Sequence, residues 1–166
     1  MKKLHPLLSV LFLISHGSGQ QIIPEITETY NDGSIKSITY YKETRNKIEK
    51  FKEVFYFENG QKNSEQTYKN GKENGEYIGW YENGQKKEEV TMKNNLRQGS
   101  YTGWYENGQK RWEGTYKDDK DDGLYTTWYE NGQKSFQGTY KDDKKVDAIG
   151  RWNEDGSVKK EPFYWE

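Results

Sequence analysis

The residue types that most often do chemistry are scarce in this chain of 166 residues. It has no cysteine, and both histidines, His5 and His16, lie near its start. Everything beyond them is without Cys nucleophiles, His-based acid–base groups and ordinary zinc ligands. Carboxylates remain. Glu58, Glu82, Glu106, Glu130 and Glu154, however, each recur once in a series of near-identical segments, whereas a catalytic carboxylate pair would be singular. The stretch "DDKDDG", Asp118–Gly123, alternates Asp118, Lys120 and Asp122 like a calcium loop. A lysine at the second ligand position argues against that, so the stretch reads as a solvated loop whose charges discourage edge pairing. No enzyme, cofactor or metal site is expected. The residues suited to binding are aromatic: Trp80, Trp104, Trp128 and Trp152, with Lys87 and Arg111 nearby. A cation over such a ring contributes about 0.5–1 kcal/mol when exposed.

The spacing of these residues leads to the elements that hold them. "WYENGQK" occurs at Trp80–Lys86, Trp104–Lys110 and Trp128–Lys134, with "YFENGQK" at Tyr56–Lys62 and "WNEDGSV" at Trp152–Val158. Gly60, Gly84, Gly108, Gly132 and Gly156 fall every 24 residues, and Gly33 precedes them by 27. A fixed period of this length marks a repeat architecture. Asn-Gly between two stretches rich in Tyr, Trp, Val and Thr predicts a hairpin with a two-residue type I′ turn. The polar, Gly-closed stretches Asn70–Gly75, Asn94–Gly99 and Asp118–Gly123 are expected to be longer return loops. The chain becomes a meander of about twelve strands, two to a repeat.

A two-residue turn sets the register. In the third unit Trp104 faces Arg111, Gly103 faces Trp112 and Tyr101 faces Gly114; likewise Trp80 faces Lys87 and Trp128 faces Ser135. Alternation puts Tyr101, Gly103, Tyr105, Trp112, Gly114 and Tyr116 on one face. There a large ring lies over bare glycine backbone, as rings do when they rescue strand glycines. Thr102, Trp104, Arg111, Glu113 and Thr115 take the other. On that face the Trp rings recur about every 10 Å, one to every second strand; they either shield a charged outer surface or serve as a track for an extended ligand. The array does not need them for its own ring stacking, so losing them should change stability little.

After Gly19 the chain holds 14 Ile, Leu and Val against 25 Trp, Tyr and Phe, so aromatic rings must supply the apolar area. The formal net charge of −1 gives no reason to expect nucleic acid. Residues 1–19 order two lysines, a short apolar run and small residues. That is the layout of an export signal, too short to span a bilayer. The expected organisation is a signal over 1–19, a linker over 20–29, a hairpin array over 30–160 and a tail over 161–166. The protein is expected to be exported to the periplasm, cell surface or medium.

"YKNGKENGEYIGWYENGQKKEE", "WYENGQKRWEGTYKDDKDDG" and "WYENGQKSFQGTYKDD" resemble MORN repeats, most of all the variant found in the bacterial YwqK antitoxin family. The resemblance spans residues 30–156. It implies an elongated, all-β, open twisted single layer of hairpins, with a binding or scaffolding role and no catalysis. The expected function is a non-enzymatic interaction scaffold or a toxin-neutralising partner of another protein. The alternative is a glycan-binding module that uses the Trp row.

Overall fold

A computed structural model describes residues 21–44 and 46–159. They form one open antiparallel sheet in which consecutive strands are neighbours. Its first half comprises β1 (Gln21–Thr29), β2 (Ile35–Thr44), β3 (Lys47–Tyr56), β4 (Lys62–Lys69), β5 (Lys72–Trp80) and β6 (Lys86–Lys93). Its second half comprises β7 (Leu96–Trp104), β8 (Lys110–Lys117), β9 (Lys120–Asp121), β10 (Gly123–Trp128), β11 (Lys134–Lys141) and β12 (Lys144–Arg151). β9 and β10 form one strand interrupted at Asp122; β9 pairs only with β8, while β10 lies between β8 and β11. The all-β hairpin meander expected from the period is the observed fold. No helix occurs among the described residues. The expected signal at 1–19 and tail at 161–166 lie outside the described residues.

Residues 20–29 were expected to be a linker, yet Gln21–Thr29 is strand β1, paired along β2 from Gln21↔Glu43 to Thr29↔Ile35. Pro24 conceals it, because proline is excluded from central strands but tolerated on an edge, where β1 lies.

The two kinds of turn are the reverse of those expected. At the Asn-Gly motif, Gly108 N donates to Tyr105 O (2.9 Å) and Tyr105 N to Gln109 O (2.8 Å). This is a three-residue loop, a type I turn closed by left-handed Gly108 (φ 82°). Asn107 is therefore not chosen for a positive φ. Its Oδ1 accepts from Gln109 N (2.9 Å) and its Nδ2 donates to Glu130 O of the next repeat (2.9 Å). The two-residue turns with positive φ at both centres are Asn70-Gly71, Asn94-Asn95, Asp118-Asp119 and Asp142-Asp143. The first three lie in the stretches expected to be long loops. Asn and Asp tolerate that conformation better than other residues with side chains.

The longer loop shifts the register by one, and a bulge shifts it back. Trp104 pairs with Lys110 while Gly103 pairs with Trp112, leaving Arg111 as the extra residue. Lys87 and Ser135 are bulged in the same way. Tyr101↔Gly114 and Gly103↔Trp112 thus stand as expected. The expected Trp–Lys87, Trp–Arg111 and Trp–Ser135 pairs are instead Trp80↔Lys86, Trp104↔Lys110 and Trp128↔Lys134.

Every residue of WYENGQK serves the next repeat or receives from the previous one. Tyr81, Tyr105 and Tyr129 hydroxyls donate to the carbonyls of Trp104, Trp128 and Trp152 at 2.7–2.9 Å. Asn59, Asn83, Asn107 and Asn131 donate to the Glu carbonyls of the following turn. Gln85 and Gln109 lie against Gly108 and Gly132. The sequence repeats because each copy is the docking surface for its neighbour. Phe57 stands where the later copies have Tyr and leaves the Trp80 carbonyl without this donor. Phe57→Tyr should raise stability by up to about 1 kcal/mol, seen as a higher melting temperature. An unchanged or lower value would mean that the hydroxyl ladder adds nothing.

Candidate functional site

A single-layer sheet has little interior. Among the described residues the buried apolar side chains are Val54 and Tyr101. Tyr101 lies at the centre of the ring face. Its ring stacks on Tyr116 (centroids 4.1 Å, interplanar 21°) and lies 6.4 Å from Tyr125. Its hydroxyl donates to Asp121 Oδ1 (2.7 Å). The opposed Gly114 makes the space: a Cβ there would lie 2.6 Å from the Tyr101 hydroxyl. In the same way Trp112 covers Gly103 and leaves no room for a Cβ.

This face forms a groove of about 570 Å³ across β4–β10. Tyr77, Val90, Tyr101, Trp112, Tyr116 and Tyr125 give it apolar walls, and Glu73, Glu88, Arg97 and Asp121 add charge. Burial holds the Tyr101 phenol well above its ordinary value, reinforced by the hydrogen bond to Asp121. Burial likewise raises Tyr77, Tyr116 and Tyr125. The groove tyrosines therefore stay neutral at ordinary pH and present ring faces and O–H donors. Arg97 lies 4.2 Å over the Tyr116 ring, donates to its hydroxyl (2.9 Å) and pairs with Asp119 Oδ1 (3.0 Å). Hydrogen bonds from the Arg97 backbone N–H and side chain hold the Asp119 carboxyl below its usual value.

The residues singled out in the sequence divide between the two faces. Trp80, Trp104, Trp128 and Trp152 form a row in which each ring is half-buried. The cation over each comes from the preceding repeat: Lys62, Lys86, Lys110 and Lys134, at 5.2, 5.7, 5.6 and 6.0 Å from the centroids. Lys62, Lys86 and Lys110 also pair with Glu65, Glu89 and Glu113 at 2.6–2.8 Å. Arg111 is not with this row. It lies over Tyr105 (5.5 Å) and Trp112 (4.6 Å), and Lys87 lies over Tyr81 (5.9 Å). Their bulged positions turn them toward the rings of the other face. The groove itself was missed, although Tyr101 and Trp112 had been placed on one face. It spans strands that shift register near Gly75, Gly99 and Gly123, in the pairs β4/β5, β6/β7 and β8/β10.

The loop "DDKDDG" is similarly occupied by the array. Asp119 Oδ1 accepts from Arg97 N (2.8 Å), and Asp143 Oδ1 from Asp121 N (2.8 Å). Asp122 pairs with Lys141 (2.6 Å).

The model of the MORN repeat variant family matches residues 52–70, 73–94, 97–118 and 121–142, half of the chain. The chain belongs to the MORN repeat variant family. Each MORN unit from 73 onward runs between successive type I′ turns, so the family unit is one strand, the WYENGQK loop and the returning strand. The same loop hydrogen bonds recur outside the matched units at Tyr30–Ser34 and Asn153–Ser157. No curated protein is similar enough to match. A MORN array is consistent with a repeat protein for protein interaction.

Proposed function

We propose that this MORN chain is a non-enzymatic, exported interaction module that receives a segment of another protein in the ring-lined groove. The carrying observation is the asymmetry between the faces. The Trp row has a lysine of its own array over every ring. In the groove Arg97 covers Tyr116 and Arg111 covers Trp112, but the Tyr77 and Tyr125 rings have no cation over them among the described residues. The Tyr77 and Tyr125 hydroxyls and the Trp112 indole N–H have no hydrogen-bond acceptor among the described residues. Such a face of aromatic rings with a few polar groups is what a protein-binding hot spot needs. The non-enzymatic part rests on the turn carboxylates, repeated and exposed at Glu58, Glu82, Glu106, Glu130 and Glu154. The export part rests on the ordered residue types over 1–19. A toxic enzyme as the partner would make the chain a neutraliser of the YwqK type.

Photo-cross-linking residues at Val90, in the groove, and at Thr115, on the Trp face, test this in the native host. One protein captured from Val90 and not from Thr115 is the expected outcome. Capture from Thr115 alone would overturn the groove reading and favour the Trp face.

A further inference from the structure

One part of the groove departs from the repeat that surrounds it. Along the row Gly79, Glu88, Gly103, Trp112, Thr127 and Phe136, set by strand pairing, each hairpin places a large side chain opposite a small one. Trp112 and Phe136 fill that place in their own hairpins, but Glu88 fills it here. Its Cγ lies 3.3 Å from where a Gly79 Cβ would be. A ring would serve packing better, so the carboxylate is not explained by the needs of the array. Glu73, at the same end of the groove, occupies the place that Arg97 and Asp121 take in the next two hairpins.

Glu73 and Glu88 are both half-buried, and neither carboxylate is in an ion pair among the described residues. The other half-buried glutamates of β3–β8 are all paired: Glu49 with Lys47, Glu53 with Lys50, Glu65 with Lys52 and Lys62, Glu89 with Lys86, Glu113 with Lys110. The two free carboxylates flank Tyr77. After burial, Glu88 and then Glu73 are what hold its phenol above the ordinary value.

Two other tyrosine rings of the array, at the repeat position that Met92 holds in this hairpin, show what a ring beside a carboxylate accepts. One hairpin earlier, Lys50 Nζ lies 4.0 Å over the Tyr68 ring and 2.8 Å from Glu53 Oε2. One hairpin later, Arg97 lies over Tyr116 and pairs with Asp119. In both, a cation joins a tyrosine face to a carboxylate, an arrangement strengthened by partial desolvation. At Tyr77 the ring and the carboxylates are present and the chain supplies no cation.

We propose that the groove is built for a basic segment: an extended stretch of the protein partner with a lysine or arginine whose cation lies against Tyr77 between Glu73 and Glu88. This rests on the groove reading above and narrows it to a partner chemistry. The neighbouring half-buried rings of Trp112 and Tyr125 take the apolar residues that flank the cation. The groove's own arginine, Arg97, is engaged by Asp119 and Tyr116, so it offers no competing site for an acidic peptide.

A random-peptide display library panned on the immobilised full chain is the test, with Glu73→Gln/Glu88→Gln, Glu82→Gln/Glu106→Gln and Trp112→Ala variants in parallel. The expected winners carry a lysine or arginine flanked by apolar residues. Their affinity should fall at least tenfold in Glu73→Gln/Glu88→Gln and stay unchanged in the turn variant Glu82→Gln/Glu106→Gln. Winners that need Trp112 but lack a basic residue, or that ignore the Gln pair, overturn the basic-segment inference and leave the groove reading standing. Winners indifferent to Trp112→Ala overturn both. Should circular dichroism show that Trp112→Ala is unfolded, Val90→Arg replaces it, adding bulk and a cation to the groove wall; winners that still bind it overturn the inference.

Discussion

Gly114→Val is expected to lower the melting temperature by about 5–10 °C. The new Cβ would lie 2.6 Å from the Tyr101 hydroxyl and 2.7 Å from its ring carbon, so the ring must leave its place. It would give up its stack on Tyr116 and its hydrogen bond to Asp121. Overpacking of this kind costs about 1–3 kcal/mol, and the lost hydrogen bond adds to it. In a one-dimensional array the damage spreads to both neighbours, because each hairpin is stabilised by the next. Thr115→Val, one residue along and facing the other way, is the control and should change the melting temperature by less than about 2 °C. A Gly114→Val chain that melts like its parent would mean that Tyr101 is not packed on Gly114 and that the face assignment is wrong.

That face was legible in the sequence for a partly fortuitous reason. The 24-residue period and the alternation of Tyr and Gly fix which residues share a side. The turn type was misread, since Asn-Gly signals a two-residue turn as readily as the final two residues of a three-residue one. The bulge at Arg111 cancels the error, so Tyr101 still meets Gly114 while Trp104 meets Lys110 rather than Arg111. The cations that each repeat places over the next Trp were not legible. Lys110 over Trp128 joins residues 18 apart on the neighbouring strands β8 and β10, which belong to different hairpins, and pattern within one hairpin does not reach that far. The groove was hidden for a related reason. Its walls are side chains of β4–β10, which the pattern within one hairpin does not bring together.

Replacing Trp104 and Trp128 together by Ala is expected to destabilise the chain by about 3 kcal/mol, against the small loss expected when the rings were read as a free face. Each ring is half-buried, and removing half of a large side chain's burial loses about 1–1.5 kcal/mol. The loss of the cation over each ring, Lys86 and Lys110, contributes about 0.5 kcal/mol more. Lys86→Met/Lys110→Met separates packing from charge, since it keeps the apolar stem over the ring and removes the cation together with its ion pairs to Glu89 and Glu113. If the lysines matter chiefly as cations, the Met pair should show weaker melting in low salt and little difference from the parent in high salt. Binding then discriminates between the functions. A protein segment held in the groove should bind the folded Trp104→Ala/Trp128→Ala chain at close to parental affinity, measured well below its lowered melting temperature. A glycan stacked on the Trp row would be lost from it altogether. A double variant as stable as the parent would show that the rings are not needed by the array, and the Trp row would again stand open as a binding track.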